Sequence, residues 1–207
     1  MSVLLRPTVG HAPLIPLVMG LAAVDAVQHL AGESVVPPVG LKWPNDVLAP
    51  TLGERKVAGI LAESTTVAPS TSAGAGTDPA RLTVVVGMGM NLRWSTPPPA
   101  DVAERAATLT EVLGRSVDRN EVLTVVLASL ETRLVSLEDA GSRPVLAAYR
   151  DRCLTIGRRV RFETSGGEHT GTVADVTEDG LLVLRTDGGA TVELNAGDAH
   201  HLPTLEA

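Results

Sequence analysis

The sequence predicts an α/β (α+β) chain in two parts, a stretch that mixes helices and strands followed by a small all-β barrel. Three observations predict it. Apolar residues recur at helical spacing at Leu14, Leu17, Val18, Leu21 and Val24, and again along 118–140. Short apolar runs of strand character lie between these stretches, the most hydrophobic over 82–90. After Gly157 the texture changes to brief strand runs separated by Gly-Gly, Glu-Asp-Gly and Asp-Gly-Gly turns.

The elements follow in order. Residues 2–6 read as a short strand cut off by Pro7, and 12–31 as a helix. Pro13 and Pro16 fall near the start of that helix, where proline is tolerated, and Gly32 is a stop. Residues 39–43 and 46–49 read as a strand and a short return strand, and 50–54 as a turn. Residues 55–64 form a strand without polar alternation in its middle, so burial on both faces is expected. The Ser, Thr, Ala, Gly and Pro run over 66–80 reads as a flexible surface loop.

Pro97-Pro98-Pro99 then breaks the chain, and 108–113 reads as a short helix. Asp118 with Glu121 three residues later resembles a capping box opening a helix that runs to about Ala140, with Gly141 as its stop. A further helix is expected over 143–153, and strands over 160–163, 171–176, 181–185 and 191–194. The expected division is 1–153 and 154–207.

Composition narrows the function. Apolar residues make up 44% of the 207, with only Trp43, Trp94, Tyr149 and Phe162 aromatic, so the core is aliphatic. Net charge is −7, and 154–207 alone carries four basic against nine acidic residues, a net of −5, which disfavours nucleic acid. The lone Cys153 excludes an internal disulfide and a CxxC metal site, fits a reducing cytoplasm, and reads as a buried small residue at a helix end. The five histidines have no HExxH spacing. Residues 12–24 are almost wholly apolar, but thirteen residues make about 20 Å of helix, short of a bilayer. Arg6, this run and Ala22-Ala23 imitate a signal peptide, yet Pro7, Pro13 and Pro16 suit a helical leader poorly. A buried amphipathic helix is the expected reading.

The chemistry is concentrated at Lys42-Trp43-Pro44-Asn45-Asp46 and Lys56-Val57-Ala58-Gly59. Pro44 makes a rigid corner that presents Lys42, Asn45 and Asp46. Lys42 and Lys56 together suit a phosphate whose charge grows in a transition state. Asp46 is open to three roles: orienting an attacking amine, accepting its proton, or binding Mg²⁺. Gly59 inside a strand suggests close approach of a ligand or another backbone. Gly87-Met88-Gly89-Met90-Asn91 leaves room for a planar ligand, with Asn91 reading polar edges. Neither a GxGxxG fingerprint nor a Walker A loop is present.

These motifs, in this order, resemble the biotin protein ligases, the biotin–[acetyl-CoA-carboxylase] ligase family. The resemblance rests on Lys42–Val47, Arg55–Glu63, Val84–Leu92 and the terminal barrel, and runs from Ser2 to Leu202. It implies a class II aminoacyl-tRNA synthetase-like catalytic domain around a mixed sheet, then an SH3-like domain. It implies ATP-dependent biotinylation of a carrier-protein lysine through biotinyl-5′-AMP, with ATP and biotin as substrates and Mg²⁺ as cofactor. Carried over by position, Lys56 would contact the biotin carboxylate and α-phosphate. Asn45 and Asp46 would serve nucleotide, metal and incoming lysine. Gly59, Gly87, Gly89 and Asn91 would line the biotin and adenylate pockets, with Lys42 and Trp43 supporting that wall. The implied partner is the biotin carrier domain of a carboxylase. No nucleic acid or membrane partner is expected, and a homodimer is allowed.

The family's Gly-Arg-Gly-Arg-x-x-Arg-x-Trp loop and an upstream Ser-Thr segment do not occur in 1–207. The expectation is therefore an N-terminally truncated member whose activity needs the absent segment, with apolar edges of the sheet exposed, an aggregation hazard. The alternatives are an incompetent remnant that retains ligand or carrier binding, and, further off, a lipoate ligase or octanoyltransferase relative.

Overall fold

The structure is a computed structural model, and it describes residues 1–32, 38–65, 80–164, 167–195 and 199–202. The first sheet holds β1 (Ser2–Leu5), β2 (Gly40–Lys42), β3 (Asp46–Ala49), β4 (Arg55–Thr65) and β5 (Thr83–Met90), in the order β1-β5-β4-β3-β2. Every strand pairing in it is antiparallel. The mixed sheet implied by the resemblance is thus not found among the described residues. Parallel geometry is confined there to single bridges, Leu41 with Cys153 and Lys56 with Ala106. The loop expected over 66–80 falls almost wholly outside the described residues.

One face of the sheet packs on α1 (Ile15–Ala31), which a 3₁₀ turn over Ala12–Leu14 introduces. The helix is buried nearly all round: Leu17, Val18, Leu21, Ala22 and Val24 are all core. That makes it a central helix rather than the amphipathic one expected. Residues Ala12–Ala31 are long and apolar enough to cross a membrane by length and composition, and most of the stretch is buried inside the fold. Gly32, at φ 94°, ends it.

The helices α2 (Ala100–Ala103), α3 (Leu109–Leu113), α4 (Arg119–Ala140) and α5 (Ser142–Arg152) follow. Asp118 caps α4 by accepting from the backbone N–H of Asn120 at 2.8 Å and Glu121 at 3.0 Å. The reciprocal capping box forms one helix earlier. There Thr108 Oγ1 accepts from Glu111 N, while the Glu111 carboxylate accepts from Thr108 N at 2.7 Å. Such caps contribute about 1 kcal/mol each. Val122, Val126, Leu130 and Leu137 bury one face of α4 against α1. The Arg133 guanidinium donates twice to Asp25, at 2.6 and 2.9 Å, across the same interface. Cys153 is buried at the end of α5, as expected.

β4 departs from its expected burial on both faces. Val57, Ala58 and Ile60 are buried, but Leu61 is 66% exposed. The reason is that helices cover only one face along this part of the sheet. Leu4 and Val85 share the outer face with Leu61 and are also exposed.

The second sheet holds β6 (Arg159–Thr164), β7 (Gly167–Val176), β8 (Leu182–Thr186), β9 (Thr191–Leu194) and β10 (Ala199–His201), in the order β10-β6-β7-β8-β9. It forms the SH3-like barrel around Val160, Phe162, Val173, Leu182 and Leu184. Four of its strands follow the turn spacing. β10 has too few apolar residues to announce itself in sequence.

Candidate active site

The site starts from sheet register. Lys42 pairs with Asp46, Asp46 with Gly59, and Gly59 with Gly89, so these four residues form one row across β2, β3, β4 and β5. Directly paired residues point to the same face. Gly87 lies one repeat along, paired with both Leu61 and Ser2. Two of the four, Gly59 and Gly89, have no side chain, and with Gly87 they leave a glycine trough on the outer face.

Lys56 should not belong to this face. It lies three residues from Gly59, and in a regular strand that odd offset points it the other way. Between Val47 and Leu48 of β3, however, the register steps from Ala58 to Lys56 on β4. Val57 is therefore an extra, bulged residue. A bulge re-aims the side chains beyond it, and here it turns Lys56 onto the face of Asp46. Lys56 Nζ lies 2.5 Å from Asp46 Oδ1, with the lysine 46% and the aspartate 18% exposed. A Cβ added to Gly59 would meet Lys56 Cε at 2.9 Å and Nζ at 3.0 Å. The close approach expected at Gly59 is thus made by the Lys56 side chain. Where β5 diverges, the backbone of 105–107 becomes the new partner: Lys56 N donates to Arg105 O at 2.8 Å, and Ala107 N to Lys56 O at 2.9 Å.

Two cavities meet at Lys56. One of about 420 Å³ follows the trough and is lined by Asn45, Lys56, Gly59, Leu61, Gly87 and Gly89 among others. The other, about 620 Å³, lies between the sheet and the barrel and includes Lys42, Asp46, Glu54, Lys56, Arg105 and His201 in its wall. Lys42 and Lys56 are the only lysines of the chain. Both sit here.

The remaining predicted residues are braces. The Asn45 amide donates to Ile60 O at 3.0 Å, and Ile60 N donates back to Asn45 O at 2.8 Å. The Asn91 amide donates to Lys56 O at 3.3 Å and Ala107 O at 3.2 Å, clasping β4 to the 105–107 segment. Its NH₂ is thereby spent on backbone carbonyls. Trp43 precedes Pro44 through a cis peptide bond and is buried. Its indole N–H donates to Gly180 O at 2.9 Å, and its ring packs on Phe162 with centroids 5.8 Å apart. It anchors the sheet to the barrel.

Sequence reasoning missed His201, Glu54 and Thr155. His201 bridges Glu54 Oε2 at 3.1 Å and Thr155 Oγ1 at 3.2 Å. Burial pushes its pKa down; the neighbouring Glu54 pulls it back up, and Lys42 and Arg158 push it further down. The one available signal was the His200-His201 pair, which no motif claimed.

For metal, the described residues contain no cluster of three or more His, Cys, Asp or Glu side chains. Asp46 is the one carboxylate in the row.

Comparison with known proteins agrees with this geometry. Residues 1–78 match the biotin/lipoate A/B protein ligase family, and 155–202 match the biotin protein ligase C-terminal domain. The chain is 40% identical over 190 residues to the biotin–[acetyl-CoA-carboxylase] ligase of Mycobacterium tuberculosis, across 90% of this chain and 61% of that one. It thus spans about three fifths of that relative's length. It is 30% identical over 197 residues to the same ligase of Paracoccus denitrificans, across 92% of this chain and 75% of that one. The biotin protein ligase of Aquifex aeolicus superposes in its apo form with a TM-score of 0.76 at 26% identity, covering 97% of this chain and 81% of that one. A complex of that enzyme with biotin gives a TM-score of 0.74 at 26% identity, covering 97% of this chain and 77% of that one. An antiparallel sheet backed by helices, a lysine–aspartate pair over bare glycines and an SH3-like barrel define the class. The chain belongs to the biotin protein ligase family.

Proposed function

We propose, departing from the expectation that activity needs a segment not found in 1–207, that the chain activates biotin with MgATP and transfers it to a lysine of a carrier-protein domain. The observation that carries this reading is the position of Lys56 at the meeting of the two cavities, paired to Asp46. The trough, about 420 Å³, falls within the usual size of a small-ligand site, roughly 300–1,000 Å³. It suits the apolar rings of biotin, with the carboxylate directed to Lys56. The larger cavity suits the phosphates of ATP, beside Lys42.

In the first step, a biotin carboxylate oxygen bonds to the α-phosphorus and the bond to the β-phosphate oxygen breaks. Biotinyl-5′-AMP forms and pyrophosphate leaves. Lys56 and Lys42 stabilise the charge that builds on the phosphate. In the second, a carrier amine attacks the acyl carbonyl, AMP leaves, and an amide forms. Asp46 orients that amine or takes its proton. A single carboxylate fits Mg²⁺ that arrives on ATP, since this ion is commonly held by one or two carboxylates plus substrate phosphates. Gly59, Gly87 and Gly89 keep the trough open, and Asn45, Asn91 and Trp43 hold its walls.

The match of 155–202 to a biotin-ligase C-terminal domain favours biotin over lipoate. It also supports a division at 153/154. A cytoplasmic setting accords with one cysteine, and a protein partner rather than nucleic acid with the charge of −7. Exposed Leu4 and Val85 are compatible with a homodimer. Pyrophosphate release tests the reading. Release with biotin and MgATP, but not with lipoate, supports it; release with neither refutes it.

A further inference from the structure

Three residues from the barrel side grip the sheet at two points beside its lysines. Thr155 is fully buried, and its Oγ1 accepts the backbone N–H of Trp43 at 3.1 Å, next to Lys42. His201 and Arg158 both hold Glu54, which lies two residues before Lys56. Glu54 adopts φ 57°, a left-handed conformation that non-glycine residues rarely take. Such a backbone persists where its surroundings over-determine it, and here the two barrel contacts on its carboxylate do so.

The direction of the hydrogen bonds follows from chemistry. The Glu54 carboxylate only accepts, so His201 Nδ1 carries the proton. Burial favours the neutral ring, so Nε2 is bare and accepts from the Thr155 hydroxyl. That leaves the Thr155 oxygen to accept from Trp43. One chain thus runs from the Trp43 backbone through Thr155 and His201 to Glu54, linking the residue beside Lys42 to the turn that starts β4. His201 interacts electrostatically with Lys42 and is tied to the turn before Lys56 through Glu54. It is 13% exposed and lines the same cavity as both.

We propose that His201 is a positioning residue that, through Thr155 and Glu54, sets the spacing between Lys42 and the Lys56–Asp46 pair. Its effect on catalysis rests on the ligase reading above. Its effect on the lysines does not.

The test compares wild type with His201→Leu, His201→Asn, which keeps a donor toward Glu54, and Thr155→Val, which breaks the chain at another link. Two quantities are measured beside Tm. The first is pyrophosphate release with biotin and MgATP. The second is the rate of acetylation of Lys42 and Lys56 by an amine-acetylating reagent, read by peptide mass spectrometry. His201→Leu and Thr155→Val are expected to lower kcat on the order of tenfold while KM for biotin stays within about twofold. They are also expected to change the ratio of Lys56 to Lys42 acetylation by at least about threefold, as the loosened turn frees the pair. His201→Asn restores much of both. An unchanged acetylation ratio in His201→Leu and Thr155→Val overturns the proposal, whether or not the chain is active. An altered ratio with unaltered kcat also overturns its catalytic half. Absence of pyrophosphate release by wild type refutes the ligase reading, while the acetylation ratio still decides the positioning.

Discussion

Lys56 Nζ stands 2.5 Å from Asp46 Oδ1, over the bare backbone of Gly59. The bulge at Val57 makes this possible by reversing the face on which Lys56 projects. The pair is too exposed to be a stability device, since pairs of this kind contribute about 0–1 kcal/mol. Its place at the meeting of two cavities gives it a chemical role instead.

Lys56→Met is accordingly expected to leave folding nearly intact and to lower biotin activation by about a hundredfold or more, the usual cost of removing one charge-stabilising donor. Urea unfolding and pyrophosphate release, measured on the same preparation, separate the two effects.

Gly59→Ala tests the geometry beneath the pair. The new methyl would displace the flexible end of Lys56, at a cost in stability below about 1 kcal/mol. Misplacing the ammonium should reduce kcat on the order of tenfold to a hundredfold. An unaltered kcat would mean that Lys56 need not lie over Gly59.

Trp43 is expected to behave as an anchor. Trp43→Phe loses the bond to Gly180 O, worth about 1 kcal/mol. Trp43→Ala loses the buried ring and should cost about 3–5 kcal/mol. Denaturant unfolding checks both values. If Trp43 were instead a ligand-stacking residue, Trp43→Phe would raise KM for a substrate and leave stability unchanged.

Much of this fold was legible because its signals are local. Asp46–Ala49 reads directly as a return strand, and Asp118 and Gly141 mark the ends of α4. The identity of the site was legible as well, through Lys42, Asp46, Lys56 and the glycines. The manner in which they act together was not. A bulge at Val57 has no signature among apolar strand residues, and a regular strand would put Lys56 and Gly59 on opposite faces. Asn91 and Trp43 carry polar groups that suit a ligand equally well on paper; only long-range partners, Ala107 O and Gly180 O, reveal them as braces. Glu54 and His201 lie 147 residues apart in sequence, and nothing local joins them.

His201 also predicts a pH dependence. Burial depresses its pKa below the ordinary value of about 6.5, so below that pH the unfolded chain binds the proton more readily than the folded one. Stability is intact above about pH 6.5, falls as pH drops below it, and levels off once the folded value is passed. Tm measured for wild type and His201→Asn between about pH 5 and 8 should differ in slope only on the acidic side. Parallel curves throughout would remove His201 as the source.

The most direct measurement is the mass of a biotin carrier domain after incubation with the chain, biotin and MgATP. The carrier is expected to gain one biotinyl group with wild type, and Lys56→Met to produce little or none in the same time. No gain with wild type, or an equal gain with Lys56→Met, would contradict this expectation.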